Sequence, residues 1–403
     1  MHRTVAIALA CGTAMLAAPP SAAQVRPDAQ PADVQIRATT SLTLGTALPD
    51  TGGLSAYGPA TQAAVGFAVA DANSVGGVMG ADVTLITGDS GGTGSRTFAR
   101  TLAAMPEAQA IVGPLSSALV LDNLDAVDGR TIISPAAVSA GLSGVIARTV
   151  PAEPLAGAML ATLAKQRGAL RLAVVGPRSQ EDLVDAALDR SADVQLAAVS
   201  VVYPKRQQAA KIAKRIARTS ADAMLLASGA ETTDILQELI RRGMPARIFL
   251  APVAADSVDP RQLRRGTLDG AQAVELDLRV PRSLQRRLAV TVPDAPQTAY
   301  AAQAYDAAAI AILAAEASGI LLGEITAEGI RTALPSVTSV GEPCKTLVRC
   351  LRLLRSGADI DYVGYAGPYD LDTAGDPEAA RYLVRTYGAG NRPGSSARPV
   401  AYP

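Results

Sequence analysis

One stretch near the start of the chain, residues 42–92, constrains the fold most because two kinds of secondary structure alternate in it. Residues 42–47 are apolar and short enough for a strand, and the turn-forming residues 49–53 predict a loop after it. Pro59 suits the first turn of a helix, and the apolar residues within 64–72 recur at helical spacing. A glycine pair and a second apolar strand follow. This order is typical of a parallel α/β sheet.

The first 23 residues predict an export signal. A short basic start precedes an apolar run, and the small residues that end at Ala23 suit cleavage after that position. A lipoprotein signal that ends at Cys11 is the alternative, but it leaves few apolar residues before the cysteine. We therefore expect a periplasmic protein that begins at Gln24, with a flexible leader over 24–40.

The same alternation of strands and amphipathic helices continues over most of the remaining chain. Removal of 23 residues from 403 leaves 403 − 23 = 380, which is long for one core, so two lobes are expected. The polar, glycine-rich residues 388–403 predict a disordered tail. The predicted fold class is α/β, with two Rossmann-like lobes.

Histidine and cysteine usage narrows the chemistry. The single histidine, His2, leaves with the signal, which excludes histidine bases, Ser-His-Asp triads and histidine metal ligands. Cys344 and Cys350 remain as a close pair, and in an oxidising compartment this pair predicts a structural disulfide. No cofactor, metal or enzymatic activity is predicted.

Charge is balanced, with 37 basic and 37 acidic residues. This balance argues against nucleic acid or an anionic membrane as a partner. The absence of tryptophan and the few aromatic residues leave little surface for stacking on sugars or bases.

Several segments resemble the type I periplasmic solute-binding proteins, typified by the leucine/isoleucine/valine-binding protein. They are SAYG at 55–58, DANSVGGVMG at 71–80, the strand that ends in Gly88-Asp89-Ser90, and CKTLVRCLRLLRSGADIDYVGYAGPYDLDTAGDP at 344–377. The resemblance covers nearly all of residues 40–388. It implies two lobes that are joined by a three-strand hinge and close on a ligand.

The resemblance also implies how the chain is divided. The first lobe would hold 41–150 and 281–360, and the second lobe 151–280 and 361–387. The chain would cross between the lobes near 148–154, 276–281 and 360–367.

Two serine-bearing loops match the ligand loops of that family. Ser116 and Ser117 follow a strand and open a helix, where amides and hydroxyls can hold a carboxylate, although a capping role alone is common there. Ala136, Val138 and Ser139 lie in the second loop, whose family counterpart binds the amino group of the ligand. The resemblance adds two aromatic contacts, which are Tyr57 and Tyr300.

The second lobe departs from the family pattern. Val253 stands where amino-acid binders place a glutamate, and Ser228 replaces an aromatic residue. Val138 stands where the family has threonine. Because an unpaired buried ammonium is costly, these changes favour a small carboxylate or amide without a free α-ammonium. A branched-chain amino acid stays the alternative ligand, with water or Asp256 serving the ammonium.

The resemblance implies a monomeric solute-binding protein that delivers a small molecule to an ABC permease of the inner membrane. The same fold can instead present its ligand to a membrane receptor as a sensor. An exported enzyme is the third possibility, and the histidine-free mature chain opposes it.

Overall fold

A computed structural model describes residues 41–91, 96–204, 208–244 and 247–402. The predicted signal and leader lie outside the described residues. The strands are β1 Thr43–Leu48, β2 Thr84–Asp89, β3 Ala110–Val112, β4 Ile132–Ser134, β5 Ala147–Arg148, β6 Arg171–Pro177, β7 Ala197–Tyr203, β8 Ala223–Leu226, β9 Arg247–Leu250, β10 Gln272–Leu276, β11 Glu342–Cys344, β12 Ile360–Tyr362, β13 Ala380–Tyr387 and β14 Pro393–Tyr402.

The helices alternate with these strands over most of the chain. They are α1 Gly58–Asn73, α2 Arg96–Ala103, α3 Ser117–Leu121, α4 Leu124–Val127, α5 Glu153–Gln166, α6 Glu181–Asp193, α7 Ala209–Ala217, α8 Thr232–Arg241, α9 Pro252–Ser257, α10 Arg282–Thr291, α11 Ala301–Leu322, α12 Ala327–Ala333 and α13 Leu347–Arg355.

The first lobe is built on a parallel sheet with the strand order β2-β1-β3-β4-β5. Helices α1–α4 and α10–α13 belong to this lobe, together with the small parallel pair β11-β12. Its largest core joins α1 and α11 to the sheet, and α11 contributes an almost continuous series of buried residues. Parallel strands covered by helices explain why the strands read as short apolar runs.

The second lobe holds a sheet with the order β14-β13-β10-β9-β8-β6-β7. Strands β6–β10 are parallel, while β13 and β14 run antiparallel at one edge. Two clusters of buried residues cover its two faces, one beneath α5 and α6 and the other beneath α7 and α8. The two sheets confirm the predicted α/β fold with two lobes.

The chain passes between the two sheets three times. The first crossover is Thr149–Ala152, which links β5 to α5, and the second is Asp277–Pro281, which links β10 to α10. The third crossover is longer, covers Val363–Ala379 and links β12 to β13. Because all three segments connect the same two bodies, they form a hinge.

Most of the third crossover packs on the first lobe, so the boundary that we predicted at residue 361 was wrong. Tyr362, Tyr369 and Leu371 are buried in the first-lobe core. The backbone amide of Arg148 in β5 donates to the carbonyl of Gly375 at 3.0 Å. The second lobe resumes only with β13.

The predicted disordered tail was also wrong over 393–402. These residues form β14, which pairs with β13 from Ala380↔Tyr402 to Tyr387↔Pro393. β14 covers the edge that β13 would otherwise expose, so the polar tail gains hydrogen bonds without needing an apolar pattern of its own.

Two further features bear on the sequence analysis. The structure joins Cys344 to Cys350 in the first lobe, where both residues are buried. Among the described helices, α11 alone is long and apolar enough to cross a membrane, and 78% of its most apolar window is buried inside the protein. This burial fits a central helix of the first-lobe core.

Candidate functional site

The candidate site is built from loops that follow the carboxyl ends of parallel strands, where open α/β sheets place ligands. In the first lobe, the loop after β3 and the loop after β4 are bonded to each other. The hydroxyl oxygen of Ser117 accepts from the backbone amides of Val138 at 3.0 Å and Ser139 at 3.2 Å. Both lone pairs of this oxygen are then used, and its proton is left to donate.

A second serine reinforces the same junction. Ser134, at the end of β4, is fully buried and donates to the carbonyl of Pro114 at 2.6 Å. Its oxygen accepts from the amides of Ala136 at 3.3 Å and Ala137 at 2.9 Å. Gly113 is required beside it, because its φ is +118° and a Cβ would lie 2.2 Å from the carbonyl oxygen of Ala47. The two loops therefore have little freedom to move apart.

Ser116 has the simpler of its two predicted roles in the structure. Its hydroxyl accepts from the amide of Leu119 at 3.4 Å and caps the start of α3. The helix has only five residues, so the cap mainly orients the chain after β3. Ser116 and Ser117 are both half-buried and flank this helix start.

A buried arginine holds the loop after β4 in place through hydrogen bonds to its backbone. Arg148 is fully buried, and its Nη1 donates to the carbonyls of Ser139 at 2.9 Å and Ala137 at 3.3 Å. Its Nε lies 2.5 Å from a carboxylate oxygen of Asp376. This ion pair links the loop after β4 to the end of the third crossover, which no local sequence pattern indicated.

The two predicted tyrosines are in contact. The rings of Tyr57 and Tyr300 meet edge to face with centroids 5.8 Å apart, and both rings pack against the first-lobe core. Tyr300 has a φ of +65° just before α11, a conformation that is uncommon for a residue with a side chain. Burial raises the pKa of Tyr300 most, and Tyr57 and the carboxylate of Asp256 raise it further.

The structure does not bring Ser228 into the same cluster. Ser228 is fully buried after β8, and its carbonyl accepts from the hydroxyl of Thr232 at 2.9 Å. Val253 packs partly against the second-lobe core, and its carbonyl accepts from Ser257 within α9 at 2.7 Å. The roles of Ser228 and Val253 in ligand binding stay predictions.

Asp256 is a second-lobe carboxylate whose charge affects the pKa of Tyr300 in the aromatic pair. It lies on α9, and its negative charge is one of the causes that raise the pKa of Tyr300. Burial and the neighbouring Glu275 raise the pKa of Asp256. Glu275 is paired with Arg385 at 2.8 Å. The second lobe therefore carries a carboxyl group, that of Asp256, whose neighbour Glu275 is already paired with an arginine.

Glu153 is a second carboxyl group that the sequence analysis missed. It opens α5 immediately after the first crossover, and its amide donates to the carbonyl of Val138 at 2.8 Å. The pKa of Glu153 is raised mainly by burial and also by the charge of Asp182, while a hydrogen bond to Gln180 opposes the increase. Its position one residue before Pro154, at a helix start, was the only local signal.

A separate cavity of about 570 Å³ lies at the opposite end of the second lobe. It is lined by residues at the amino ends of β9 and β10 and by the ion pair of Asp222 and Arg247. Because the ligand loops follow the carboxyl ends of the strands, this cavity is distinct from the candidate site.

Two lobes that are built on parallel sheets and joined by three crossovers define a bilobal binding protein. The family model for periplasmic binding proteins matches residues 41–350, and the chain belongs to that family. The family consists of extracytoplasmic solute-binding proteins.

Three relatives show how broadly the fold is used. The chemotactic signal transduction substrate-binding protein BasB of Halobacterium salinarum is 28% identical over 369 residues, which cover 85% of this chain and 86% of that protein. A candidate branched-chain amino acid ABC transporter protein from Rhodospirillum rubrum is 20% identical with a TM-score of 0.62, covering 89% of this chain and all of that one. A solute-binding protein from R. palustris in complex with 4-hydroxybenzoate is 17% identical with a TM-score of 0.55, covering 89% and 97%.

Proposed function

We propose that this protein captures a small carboxylate or amide between its two lobes and delivers it to an ABC permease of the inner membrane. The observation that carries the proposal is Ser117, whose oxygen is saturated by two backbone amides and whose proton is therefore directed to another acceptor. A carboxylate or carbonyl oxygen is such an acceptor. The fixed loops supply this donor without reorganisation, which favours affinity.

The remaining first-lobe residues would surround the body of the ligand. Ser116 precedes Ser117 in the chain, the amide of Ser139 donates to Ser117, and Ala136 lies in the same loop as Ser139. Tyr57 and Tyr300 would pack against an apolar or aromatic part of the ligand. The carbonyl of Val138 accepts from the amide of Glu153 at 2.8 Å, which uses one of its two lone pairs. The relative from R. palustris, which binds 4-hydroxybenzoate, shows that the fold accepts an acid without an ammonium group.

A branched-chain amino acid is the second candidate ligand, and Asp256 is the observation that favours it. Its carboxylate influences Tyr300, and its neighbour Glu275 already has an arginine partner. A ligand ammonium between Asp256 and the tyrosines would neutralise that charge. The protein from Rhodospirillum rubrum is described as a branched-chain amino acid transporter protein.

Sensing is the second candidate function. The relative from Halobacterium salinarum belongs to a chemotactic signal transduction system. In that case the same ligand capture would be read by a membrane receptor, and Val253 and Ser228 would still shape the second lobe. Co-purification with a permease supports import, whereas co-purification with a transducer supports sensing.

A thermal-shift screen of a metabolite library tests the ligand class, because a ligand stabilises the folded state by mass action. We expect aliphatic or aromatic acids and amides to raise the Tm. Stabilisation by leucine or valine alone would favour the amino-acid candidate and overturn the first proposal.

Small-angle scattering with the best hit then tests closure. We expect the radius of gyration to fall when the ligand binds, because the hinge brings the lobes together. An unchanged radius for a confirmed binder would contradict the clamp.

We further propose that the protein is periplasmic, monomeric and cleaved after Ala23. The apolar run and the small residues before that position support the cleavage. The intact mass of the exported protein tests it. A mass that starts at Gln24 agrees with the proposal, and a lipid-modified Cys11 contradicts it.

A further inference from the structure

One helix, α11, contacts all three crossovers of the hinge. The hydroxyl of Thr149, in the first crossover, donates to the backbone carbonyl of Gln303 at 2.9 Å. The side-chain amide of Gln303 donates to the carbonyl of Asp277, in the second crossover, at 3.3 Å. Gln303 is 3% exposed, so these contacts lie in the interior. The third crossover is held one turn further along the same helix.

Asp306 holds the third crossover from the side of the first lobe. Its carboxylate is fully buried and accepts from the hydroxyls of Tyr362 at 2.7 Å and Tyr369 at 2.5 Å. It also accepts from the amides of Tyr365 at 2.8 Å and Ala366 at 2.7 Å. Four donors satisfy a carboxylate that would otherwise be costly to bury.

Arg381 holds the same two residues from the side of the second lobe. It lies on β13, and its Nη2 donates to the carbonyl of Tyr365 at 2.7 Å, while its Nε donates to that of Ala366 at 3.3 Å. The peptide unit between Tyr365 and Ala366 therefore meets the carboxylate of Asp306 at its N–H and the guanidinium of Arg381 at its C=O. Charges of opposite sign at the two ends of one peptide dipole strengthen both hydrogen bonds.

The backbone beside this peptide leaves no room for adjustment. Gly364 has a φ of +64°, and a Cβ there would lie 2.6–2.8 Å from the carboxyl group of Asp306. The backbone amide of Asp277 also donates to the carbonyl of Arg381 at 3.2 Å, so Arg381 joins the second crossover to the third.

We propose that Asp306 and Arg381 are positioning residues that form a hinge latch across the Tyr365–Ala366 peptide and set how far the two lobes open. The inference rests on the proposed clamp function. It also gives a route from ligand to hinge, because Tyr300 lies immediately before α11 and Asp306 lies less than two turns into that helix. A ligand in contact with Tyr300 would therefore affect the position of α11, the helix that contacts all three crossovers.

The test uses the unliganded full chain, so it does not depend on a known ligand. Spin labels on cysteines at Ala118 of α3 and Glu181 of α6, both exposed, report the distance between the lobes by pulsed electron resonance. We expect Arg381→Ala to broaden the distance distribution about twofold, because one side of the latch is lost and more hinge states become populated. Arg381→Lys keeps the positive charge but loses the paired N–H donors of the guanidinium, so it should broaden the distance distribution less.

Arg385→Ala is the matched control. Arg385 lies four residues further along β13, and its Nε pairs with Glu275 instead of a crossover. We expect its distribution to match that of the unsubstituted chain. The proposal is overturned if Arg381→Ala is folded by circular dichroism and leaves the distribution unchanged, or if Arg385→Ala broadens it equally.

Asp306→Asn keeps the inference testable if Arg381→Ala does not fold. An amide in place of the carboxylate presents a donor to at least one of the four donors and should broaden the distribution as well. A folded Asp306→Asn protein with an unchanged distribution would overturn the latch. Failure of the ligand screen would leave these distances unaffected, so the two proposals fail separately.

Discussion

The ligand loops of the first lobe bond to one another, whereas Ser228 and Val253 of the second lobe face their own core. Ser117 and Arg148 join the loop after β4 to its neighbours through side-chain hydrogen bonds. The corresponding second-lobe loops hydrogen-bond locally, as Ser228 does with Thr232. The two first-lobe loops are therefore fixed to each other, and under the proposed function the second lobe would supply charge and shape when the hinge closes.

Substitution of Arg148 should have the largest effect on stability, because this residue holds the loop after β4 in place. Arg148→Ala leaves Asp376 without its partner and the carbonyls of Ala137 and Ser139 without a donor. We expect a loss of about 3–5 kcal/mol in the free energy of unfolding, measured by urea denaturation. Arg349→Ala, which removes an exposed ion pair with Glu342, should cost less than about 1 kcal/mol. Equal losses would remove the distinction between the two kinds of ion pair.

Removal of the disulfide tests whether a covalent bond adds to the stability of the first lobe. Cys344 and Cys350 both belong to it, and residues 151–280 of the second lobe contain no cysteine. We expect Cys344→Ala with Cys350→Ala to lower the free energy of unfolding by about 2 kcal/mol. Mass spectrometry of non-reduced peptides from exported protein checks the bond itself. Two free thiols in that material would contradict the prediction.

Substitution of Ser117 tests whether the first-lobe loops bind the ligand. In Ser117→Ala the amides of Val138 and Ser139 lose their acceptor, which should lower the free energy of unfolding by about 1–2 kcal/mol. Binding of the best hit from the screen, measured by calorimetry, should weaken about tenfold or more, because a charge-assisted hydrogen bond is lost. Thr326→Ala is the matched control, since Thr326 caps α12 and touches no ligand loop. It should lower stability by about 1 kcal/mol and leave the affinity unchanged.

Asp256 should have the smallest effect on stability and the clearest effect on ligand choice. Its pKa is raised from the ordinary value of 3.8, so protonation favours the folded state, and stability from this group decreases as the pH rises through that pKa. Asp256→Asn should therefore change the free energy of unfolding at pH 7 by no more than about 0.5 kcal/mol.

The affinity should depend on pH in opposite directions for the two ligand classes. A carboxylate ligand is repelled by the charged Asp256, so its affinity should rise as the pH falls through the raised pKa of Asp256. An amino acid whose ammonium meets Asp256 should bind more weakly over the same interval. Calorimetric titrations at several pH values, with Asp256→Asn as the reference that lacks this dependence, distinguish the two. A pH dependence that is unchanged in Asp256→Asn would exclude a role for this residue.

Much of the first half-site was predictable because its signals are local. A strand, a turn with serine and a helix start follow one another within a few residues at 112–118, and the same holds at 133–139. The structure does bring Ser117, Val138 and Ser139 together. Tyr57 and Tyr300 came from the family resemblance, and they are in contact although 243 residues separate them in sequence.

The second half-site was not predictable in the same way, because burial depends on partners that are distant in the chain. Ser228 occupies a plausible loop, yet packing within the second lobe buries it fully. Asp256 lies three residues beyond the position that the family pattern indicates, and its charge raises the pKa of Tyr300, which is distant from it in the chain. Local spacing carries no information about either outcome.

The sequence by itself determined the alternation of strands and helices, the two-lobe α/β class and the pairing of the last two cysteines, because periodicity and turn residues act over short distances. Only the tertiary structure decided that residues 393–402 pair with β13, that the third crossover packs on the first lobe, and that Arg148 and Asp306 bind crossover segments. Each of these outcomes joins residues that are far apart in the chain. Their energy comes from burying and satisfying charged and polar groups, which a linear pattern does not encode.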